Sequence, residues 1–403
     1  MSDYLNKLSR IWLEELCVNI PGRCVGSEGN RKATRFFENE VRQRGWQTEM
    51  PEFDAIDWND GGASLCCGEN EFKVLVSPYS KGFTGEAELV QATTVDELDS
   101  IKAAGKIILL RGDIAREQLM PKNFVFYNPE EHQKIVKLLE ESAAKALVCA
   151  TGRNPSLAGG VYPFPLIEDG DFDIPSVYMT EEEGLRLADF TGKRVSLRSF
   201  SERIPGKGYN VICRMGVPGS RRIVITAHID AKKGTPGAID NATGVVVLML
   251  LAEFLKDYGG GRLIEIAALN GEDYYGVPGQ MNFIMANQGL FDNMLLNINI
   301  DGAGYFEGGT AFSLFDLPEG MASLVRSVIG GHDGISEGVQ WPQGDHSIFL
   351  QSGVPAVAVT SEWFLQNIST QDITHTERDN IGITDSGKLV LIAGVLDRLI
   401  RSL

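Results

Sequence analysis

The feature that most constrains the fold is a long apolar segment in the second half of the chain, flanked by strand-like runs. The segment "GVVVLMLLAEFL" has no charged residue before Glu253 and is long enough for a helix buried in the core. "RRIVITAH" precedes it and "RLIEIAALN" follows it, and both are apolar enough to form buried strands. Further runs of this kind are "LLNINID", "VPAVAVTS" and the closing amphipathic helix "SGKLVLIAGVLDRLIRSL". This alternation predicts an α/β fold, in which helices sandwich a mostly parallel mixed sheet.

Residues 62–202 have a different texture, with short apolar runs that turns interrupt. A helix is expected at about 130–144, and the other runs are typical of strands. We therefore expect a β-rich domain here, inserted into a discontinuous domain that residues 1–61 and 203–403 form. The strand-like runs are "KVLVSPYSKG", "AELV", "KIILLRG" and "KALVCATG".

The overall charge and composition argue against several classes of partner. The 403 residues carry a formal net charge of −17 at pH 7, so the chain lacks the basic surface that nucleic-acid binding requires. No apolar run approaches the roughly 20 residues that span a bilayer, and the N-terminal residues do not resemble a signal peptide. The six cysteines are scattered without a CxxC pair. These observations predict a cytoplasmic protein with reduced thiols, no membrane contact and no nucleic-acid partner, and they leave the oligomeric state open.

Histidine and carboxylate side chains follow three of the predicted strands. His228 ends "RRIVITAH", Glu272 and Asp273 follow "RLIEIAALN", and Asp301 ends "LLNINID". The carboxyl ends of parallel strands lie along one edge of a sheet, where ligands bind. We therefore expect these four side chains to lie close together.

These residue types are ligands that zinc prefers. Zn²⁺ binds imidazole nitrogen and carboxylate oxygen, and its catalytic sites commonly have three protein ligands and an open position. Two such ions can share one bridging carboxylate. The loop "AHIDAKKGTPGAIDNATG" supplies Asp240 as a bridge, and it supplies Asp230, two residues after His228, to orient the imidazole. The second histidine that such a site needs is His375 in "ITHTERDN".

In their order and setting, these segments resemble the M28 family of zinc peptidases, which includes bacterial aminopeptidases, glutamate carboxypeptidase-like enzymes and glutaminyl cyclases. The resemblance covers nearly the whole chain. The block at 62–202, with "GKIILLRG" and "DIPSVYMTEEEG", looks like the protease-associated (PA) domain that is inserted in many of these enzymes. The segments that carry the resemblance are "GRCVGSEGNRKATRFF", "AHIDAKKGTPGAIDNATG", "NGEDYYG", "NIDGAG", "GDHSIFLQSGVPA" and "THTERDN".

The resemblance implies a site for two zinc ions, which cobalt or manganese would also fit. Glu272 would be the general base that takes a proton from the attacking water and delivers it to the leaving amine. Many members have a glutamate where this sequence has Asp273, so this ligand is shorter here but not lost. The family also suggests a cis peptide between Asp240 and Asn241. The implied ligands are His228, Asp240 and Asp301 for one ion and Asp240, Asp273 and His375 for the other, with Asp230 orienting His228.

The predicted function is therefore hydrolysis of peptides by a two-zinc exopeptidase, specifically an aminopeptidase that removes N-terminal residues. A glutamate carboxypeptidase-like enzyme shares the same metal set and stays an alternative. A peptide-binding relative without activity is another alternative, although such proteins typically lose a ligand or the base, and all of these positions are filled here. Glutaminyl cyclases use one zinc ion, which disfavours them because both ligand sets are present.

Two further features admit more than one interpretation. Asp345 and His346, in "GDHSIF", line the substrate pocket or support the loop that carries them. "GISEG" at Gly334–Gly338 matches the GxSxG motif of serine hydrolases, which needs a strand before Ser336 and a helix after it. This segment instead predicts a turn-rich loop, which disfavours a serine hydrolase.

Overall fold

The computed structural model describes residues 2–20, 22–154 and 161–403, which form two compact units. The strands are β1 (Gln47–Glu49), β2 (Glu52–Cys67), β3 (Asn70–Phe72), β4 (Leu75–Val76), β5 (Phe83–Ala92), β6 (Ile107–Leu110), β7 (Ala146–Thr151), β8 (Ser176–Thr180), β9 (Arg194–Tyr209), β10 (Val211–Gly216), β11 (Arg222–His228), β12 (Leu263–Leu269), β13 (Met294–Ile300), β14 (Thr310–Phe315), β15 (Ile335–Gly338) and β16 (Ala356–Ser361). The α-helices are α1 (Ser2–Glu14), α2 (Glu28–Arg42), α3 (Val95–Ser100), α4 (Glu130–Glu141), α5 (Glu181–Ala188), α6 (Thr243–Phe254), α7 (Pro278–Ala286), α8 (Glu319–Ile329), α9 (His346–Gln351), α10 (Glu362–Asn367) and α11 (Ser386–Ser402).

The first unit, Met1–Ala55 and Lys207–Leu403, is built on one sheet with the strand order β1-β10-β12-β11-β13-β16-β14-β15. Its four central strands, β12, β11, β13 and β16, run parallel to one another. β10 and β14 pair antiparallel to the outer members of this group. The predicted α/β class, with a mixed sheet that is parallel at its centre, is confirmed.

The buried position of helix α6 explains why its sequence has no polar face before its last turn. Residues 245–252 are fully buried. The helix contacts β11 on the sheet and also α1, α2 and α11, so protein surrounds it. At its start, Oδ1 of Asn241 accepts a hydrogen bond from the backbone N–H of Gly244 at 3.1 Å. Burial on all sides removes apolar surface from water along the whole helix, which stabilises the unit that carries the site.

The second unit, Ile56–Gly206, has a sheet with the strand order β3-β2-β9-β5-β6-β7-β8-β4. All residues of β6 and β7 are buried, and these two strands pair in parallel. The units divide at 55/56 and 206/207, inside the long strands β2 and β9, a few residues from the predicted boundaries at 61/62 and 202/203. The assignment of this unit to the PA domains stays a prediction.

One local prediction is wrong. Residues 335–338 form β15 and pair in parallel with β14, where the sequence predicted a turn-rich loop. The backbone of β14 offers N–H and C=O groups at the sheet edge, and a short polar segment satisfies them without an alternating apolar pattern.

No helix in the described ranges combines the length and apolar character that a membrane span needs. The cytoplasmic location stays a prediction.

Candidate metal centre

Three neighbouring strands bring candidate ligands to one edge of the first unit's sheet. His228 is the last residue of β11, Asp301 directly follows β13, and Glu272 and Asp273 lie in the turn after β12. β11 lies between β12 and β13 and runs parallel to both, so the three carboxyl ends are adjacent. The predicted clustering of these side chains follows directly from this topology.

Asp240 lies between the two histidines. Its Oδ1 is 3.1 Å from Nε2 of His228, and its Oδ2 is 3.0 Å from Nε2 of His375. Oδ1 of Asp301 is 3.6 Å from Nε2 of His228, and Oδ1 of Asp273 is 3.0 Å from Nε2 of His375. The side chains therefore form two groups of three that share Asp240, and the ligand atoms within each group lie within 4.8 Å of one another.

The donor atoms of these two groups fit metal ions. Neither ring nitrogen of the buried His228 makes a hydrogen bond, and Oδ2 of Asp273 has no partner. Tetrahedral zinc with bonds of about 2.0–2.2 Å spaces its ligand atoms about 3.3–3.6 Å apart, close to the separations given above. Carboxylates this close also repel one another unless a cation lies between them. The residues that would hold two divalent ions are His228, Asp240, Asp273, Asp301 and His375.

The backbone at two of the ligands is unusual. His375 has a φ of 62°, in the left-handed region that residues other than glycine seldom adopt. Such a conformation persists when the surrounding structure imposes it, and it occurs often at functional sites. The peptide bond between Asp240 and Asn241 is cis, as predicted.

Glu272 lies beside both ligand groups. Its carboxylate and one ligand atom each of His228 and Asp273 lie within 4.8 Å of one another. Burial raises the pKa of Glu272 well above its usual range, against the opposing charge of His228, and the charges of Asp273 and Asp301 add to the rise. A carboxylate with a raised proton affinity at this position is suited to accept a proton near neutral pH.

Asp230 holds the turn that carries Glu272 and Asp273. Its Oδ1 accepts hydrogen bonds from the backbone N–H groups of Gly271 at 2.7 Å and Glu272 at 3.3 Å. Its Oδ2 accepts one from the N–H of Asp273 at 2.9 Å. Nδ1 of His228 lies 3.6 Å from Oδ1 of Asp230 and makes no hydrogen bond. The contact to His228 is thus looser than the sequence suggested, and the stronger contacts of Asp230 position the general base.

Asp345 and His346 are fully buried where α9 begins. Oδ1 of Asp345 accepts a hydrogen bond from Nε2 of Gln280 at 2.6 Å, and burial raises the pKa of Asp345 to about 7. The ring of His346 packs against Phe315 and Trp341, with 4.7 Å between ring centroids in each pair. These contacts fit support of the loop, and a substrate-pocket role for either residue stays a prediction.

The sequence analysis did not identify several polar residues whose hydrogen bonds support the segments that carry the predicted metal ligands. Asn30 in α2 and Asn270 after β12 exchange side-chain hydrogen bonds of 2.9 and 2.8 Å. Oδ1 of Asn210 accepts a third, at 3.0 Å, from the backbone N–H of Asn270. Arg23 and Asp379 hold the loop after β11 in a similar way. Arg23 and Asn30 lie in "GRCVGSEGN", a segment that carries part of the family resemblance. This was the available signal, although the resemblance gave neither residue a role.

Gly279 lets α7 approach the turn that carries Glu272. A Cβ at Gly279 would lie 1.8 Å from the carbonyl oxygen of Asn270 and 2.6 Å from Oδ1 of Asn210. We therefore expect Gly279→Ala to lower the free energy of unfolding by about 1–3 kcal/mol, which urea denaturation measures. Gly276→Ala, three residues earlier in the loop before α7, is the control, because its Cβ would meet no atom within 4 Å. Equal stability of the two variants would contradict the close approach.

The serine-hydrolase alternative finds no support in the structure. Ser336 is exposed in the edge strand β15. Residues 339–345 separate this strand from α9, so the segment lacks the sharp strand-to-helix turn that presents a serine nucleophile.

Comparisons with known proteins find a matching family model and curated relatives. Residues 210–398 match the model of peptidase family M28. The chain is 23% identical to the Probable lipoprotein aminopeptidase LpqL of Mycobacterium tuberculosis over 332 residues, which are 76% of this chain and 62% of that protein. It spans about three-fifths of the length of the curated relatives it matches.

Two solved structures are similar over nearly their whole length. The aminopeptidase from Aneurinibacillus sp. strain AM-1 has a TM-score of 0.77 at 19% identity, with 99% of this chain and 93% of that chain covered. BSAP, a zinc aminopeptidase from Bacillus subtilis, has a TM-score of 0.75 at 17% identity, with 98% and 95% covered. At these identities the likeness shows a shared fold.

Proposed function

We propose that this chain, whose residues 210–398 match the model of peptidase family M28, is a two-zinc aminopeptidase that removes N-terminal residues from peptides. The observation that carries the proposal is the position of Asp240, whose two oxygens lie 3.1 and 3.0 Å from Nε2 of His228 and of His375. One carboxylate between two imidazoles is the arrangement expected of a co-catalytic metal pair. The names of LpqL and BSAP support the aminopeptidase assignment.

Each residue of the site has a different role in the proposed reaction. When bound, two zinc ions supply Lewis acidity, which acidifies a water molecule and polarises the scissile carbonyl. Glu272 accepts the proton of that water and delivers it to the leaving amine. Asp230 keeps Glu272 in place through the backbone N–H groups of residues 271–273. The site thus combines a rigid turn for the base with two histidines and three carboxylates for the ions.

The aminopeptidase assignment rests on the names of the relatives and not on the charge around the site. Asp301 is a predicted metal ligand, and Asp230 and Asp345 are buried and accept hydrogen bonds from the protein, so none of the three is available to the ammonium of a substrate. A carboxypeptidase instead needs a cation for the substrate carboxylate, and Lys232, whose charge reaches Asp273, is the residue that would serve it.

A peptide supplied with a free or an acetylated N-terminus tests the direction of cleavage. We expect the zinc-loaded protein to shorten the free peptide one residue at a time from its N-terminus, and to leave the acetylated peptide intact because acetylation removes the ammonium. Mass spectrometry of both peptides after incubation measures the outcome. Shortening of both forms from the C-terminus would contradict the aminopeptidase assignment while keeping the metal site.

Removal of the metal is the control for this experiment. Dialysis against a zinc chelator should abolish cleavage, and added zinc should restore it, because the carbonyl and the water lose their Lewis acid. Cleavage that persists in the metal-free protein would contradict the proposed function as a whole.

A further inference from the structure

Asp379 is a fully buried carboxylate that contacts the backbone of the loop carrying Asp240. Its Oδ1 accepts a hydrogen bond from the N–H of Ile239 at 2.6 Å, and its Oδ2 accepts one from the N–H of Asp240 at 3.0 Å. Its own carbonyl oxygen accepts a third from the N–H of Ala238 at 3.2 Å. Asp379 lies four residues after His375 in the same loop. It therefore links the backbones around two predicted ligands of one ion.

Arg23 holds the same loop by hydrogen bonds to its backbone carbonyls. The guanidinium is 1% exposed and donates to four backbone carbonyls. Nε donates to Ile229 at 3.0 Å, and Nη2 donates to Gly237 at 2.7 Å. Nη1 donates to Pro236 and to Leu16, at 2.8 Å in both cases. The acceptors at 229, 236 and 237 mark both ends of the segment that joins β11 to Asp240.

The loop is closely packed at Gly237, near both of these contacts. Gly237 has a φ of 58°, and a Cβ there would lie 2.6 Å from the carbonyl oxygen of Asp240 and 2.8 Å from Nη2 of Arg23. Oγ1 of Thr235 also donates to the carbonyl oxygen of Thr376, next to His375, at 2.9 Å. The loop with Asp240 and the loop with His375 are thus tied together at several points.

We propose that Asp379 is a positioning residue that fixes the separation of Asp240 and His375 and thereby sets the affinity of the site for its second metal ion. The inference rests on the proposed two-zinc function. A hydrogen bond from a backbone N–H to a carboxylate is charge-assisted and strong, so two adjacent bonds hold the peptide of Asp240 firmly. Groups that hold metal ligands commonly change metal affinity by about 10- to 100-fold when they are replaced, because the ligands must then be ordered during binding.

Zinc titration of Asp379→Asn, with a chromophoric chelator as competitor, tests this inference. The amide keeps the size of the side chain but places an NH₂ group against a backbone N–H. We expect the dissociation constant of one of the two ions to rise about 10- to 100-fold, while the variant stays folded by circular dichroism. The absorption spectrum of the cobalt-loaded variant should change as well, because the geometry of the ligands changes.

Asp385→Asn is the matched control. Asp385 lies in the same half of the chain and also accepts two backbone N–H groups, from Gly387 at 2.8 Å and Lys388 at 3.4 Å, where α11 begins. The substitution makes the same chemical change at a helix start. Because it lies outside the ligand loops, its zinc affinities should equal those of the wild-type protein.

The outcomes separate this inference from the proposed function. A wild-type protein that takes up fewer than two zinc ions contradicts the proposed function and the inference with it. A wild-type protein that binds two ions, beside a folded Asp379→Asn variant with unchanged affinities, contradicts the inference alone. If Asp379→Asn does not fold, Asp379→Glu replaces it in the titration. The longer side chain keeps both acceptor oxygens but displaces them, and unchanged affinities in that variant would equally overturn the inference.

Discussion

Replacing Glu272 with glutamine is expected to lower kcat by a factor of about 10²–10⁴, the range that general acid–base catalysis supplies. The amide has the size of the carboxylate and contacts the same neighbours, but it cannot accept a proton from water. Glu272 is not among the side chains that would hold both ions, so the zinc content should stay at the wild-type value. Measurement of kcat on a peptide with a free N-terminus, together with elemental analysis for zinc, checks both statements.

Glu307→Gln is a suitable control for this experiment. Glu307 is exposed, and the same exchange of a carboxylate for an amide occurs there outside the ligand groups. Its kcat should equal that of the wild-type protein. A zinc-loaded Glu272→Gln variant with more than a tenth of wild-type kcat would remove Glu272 from the role of general base.

The sheet topology delivers four of the site residues that the sequence predicts, whereas Asp240 and His375 were predicted from their loop segments. His228 ends one apolar strand, Asp301 directly follows another, and Glu272 and Asp273 follow a third, so a parallel sheet brings them together whatever the loops do. The helix α6 was also predictable, because an apolar run of its length can be stable only in a core. These inferences need only the period of the apolar pattern and the direction of the strands.

The supporting residues could not be predicted in the same way, because their contacts are with backbone groups. Arg23 donates to the carbonyls of Ile229, Pro236 and Gly237, more than 200 residues away in the sequence. A carbonyl has the same chemistry at every position, so nothing in the acceptor's residue type marks it. The same holds for Asp230, whose main partners are N–H groups of residues 271–273 and not the nearby imidazole. Only the folded path of the chain identifies these partners.

The turn-rich loop predicted at residues 335–338 was wrong for a related reason. Its residues, "ISEG", have no alternating apolar pattern, and their pairing is imposed by the edge of β14. The same local geometry removes the interpretation of Ser336 as a nucleophile, because a residue within an edge strand is not on a sharp turn. The sequence already disfavoured a serine nucleophile at this motif, and the structure disfavours it on a different ground, the edge strand.

Replacing Asp240 with alanine is expected to weaken the binding of both zinc ions, by more than the roughly 100-fold that loss of a supporting residue can cause. Asp240 is the only described residue that belongs to both ligand groups that contain a histidine and two aspartates. Its two oxygens face Nε2 of His228 and of His375, so each group would keep only two of its three ligands. Zinc titration, as used for Asp379, measures the loss.

Two variants that each remove a ligand of one ion are compared with Asp240→Ala. Asp301→Ala and Asp273→Ala each remove a ligand from one group, so each should weaken one ion and spare the other. If Asp240→Ala behaved like either of them and lost only one ion, the two groups would not share a carboxylate. Each group would then hold its ion without Asp240 as a common ligand, and the bridge on which the proposed pair of ions depends would be absent.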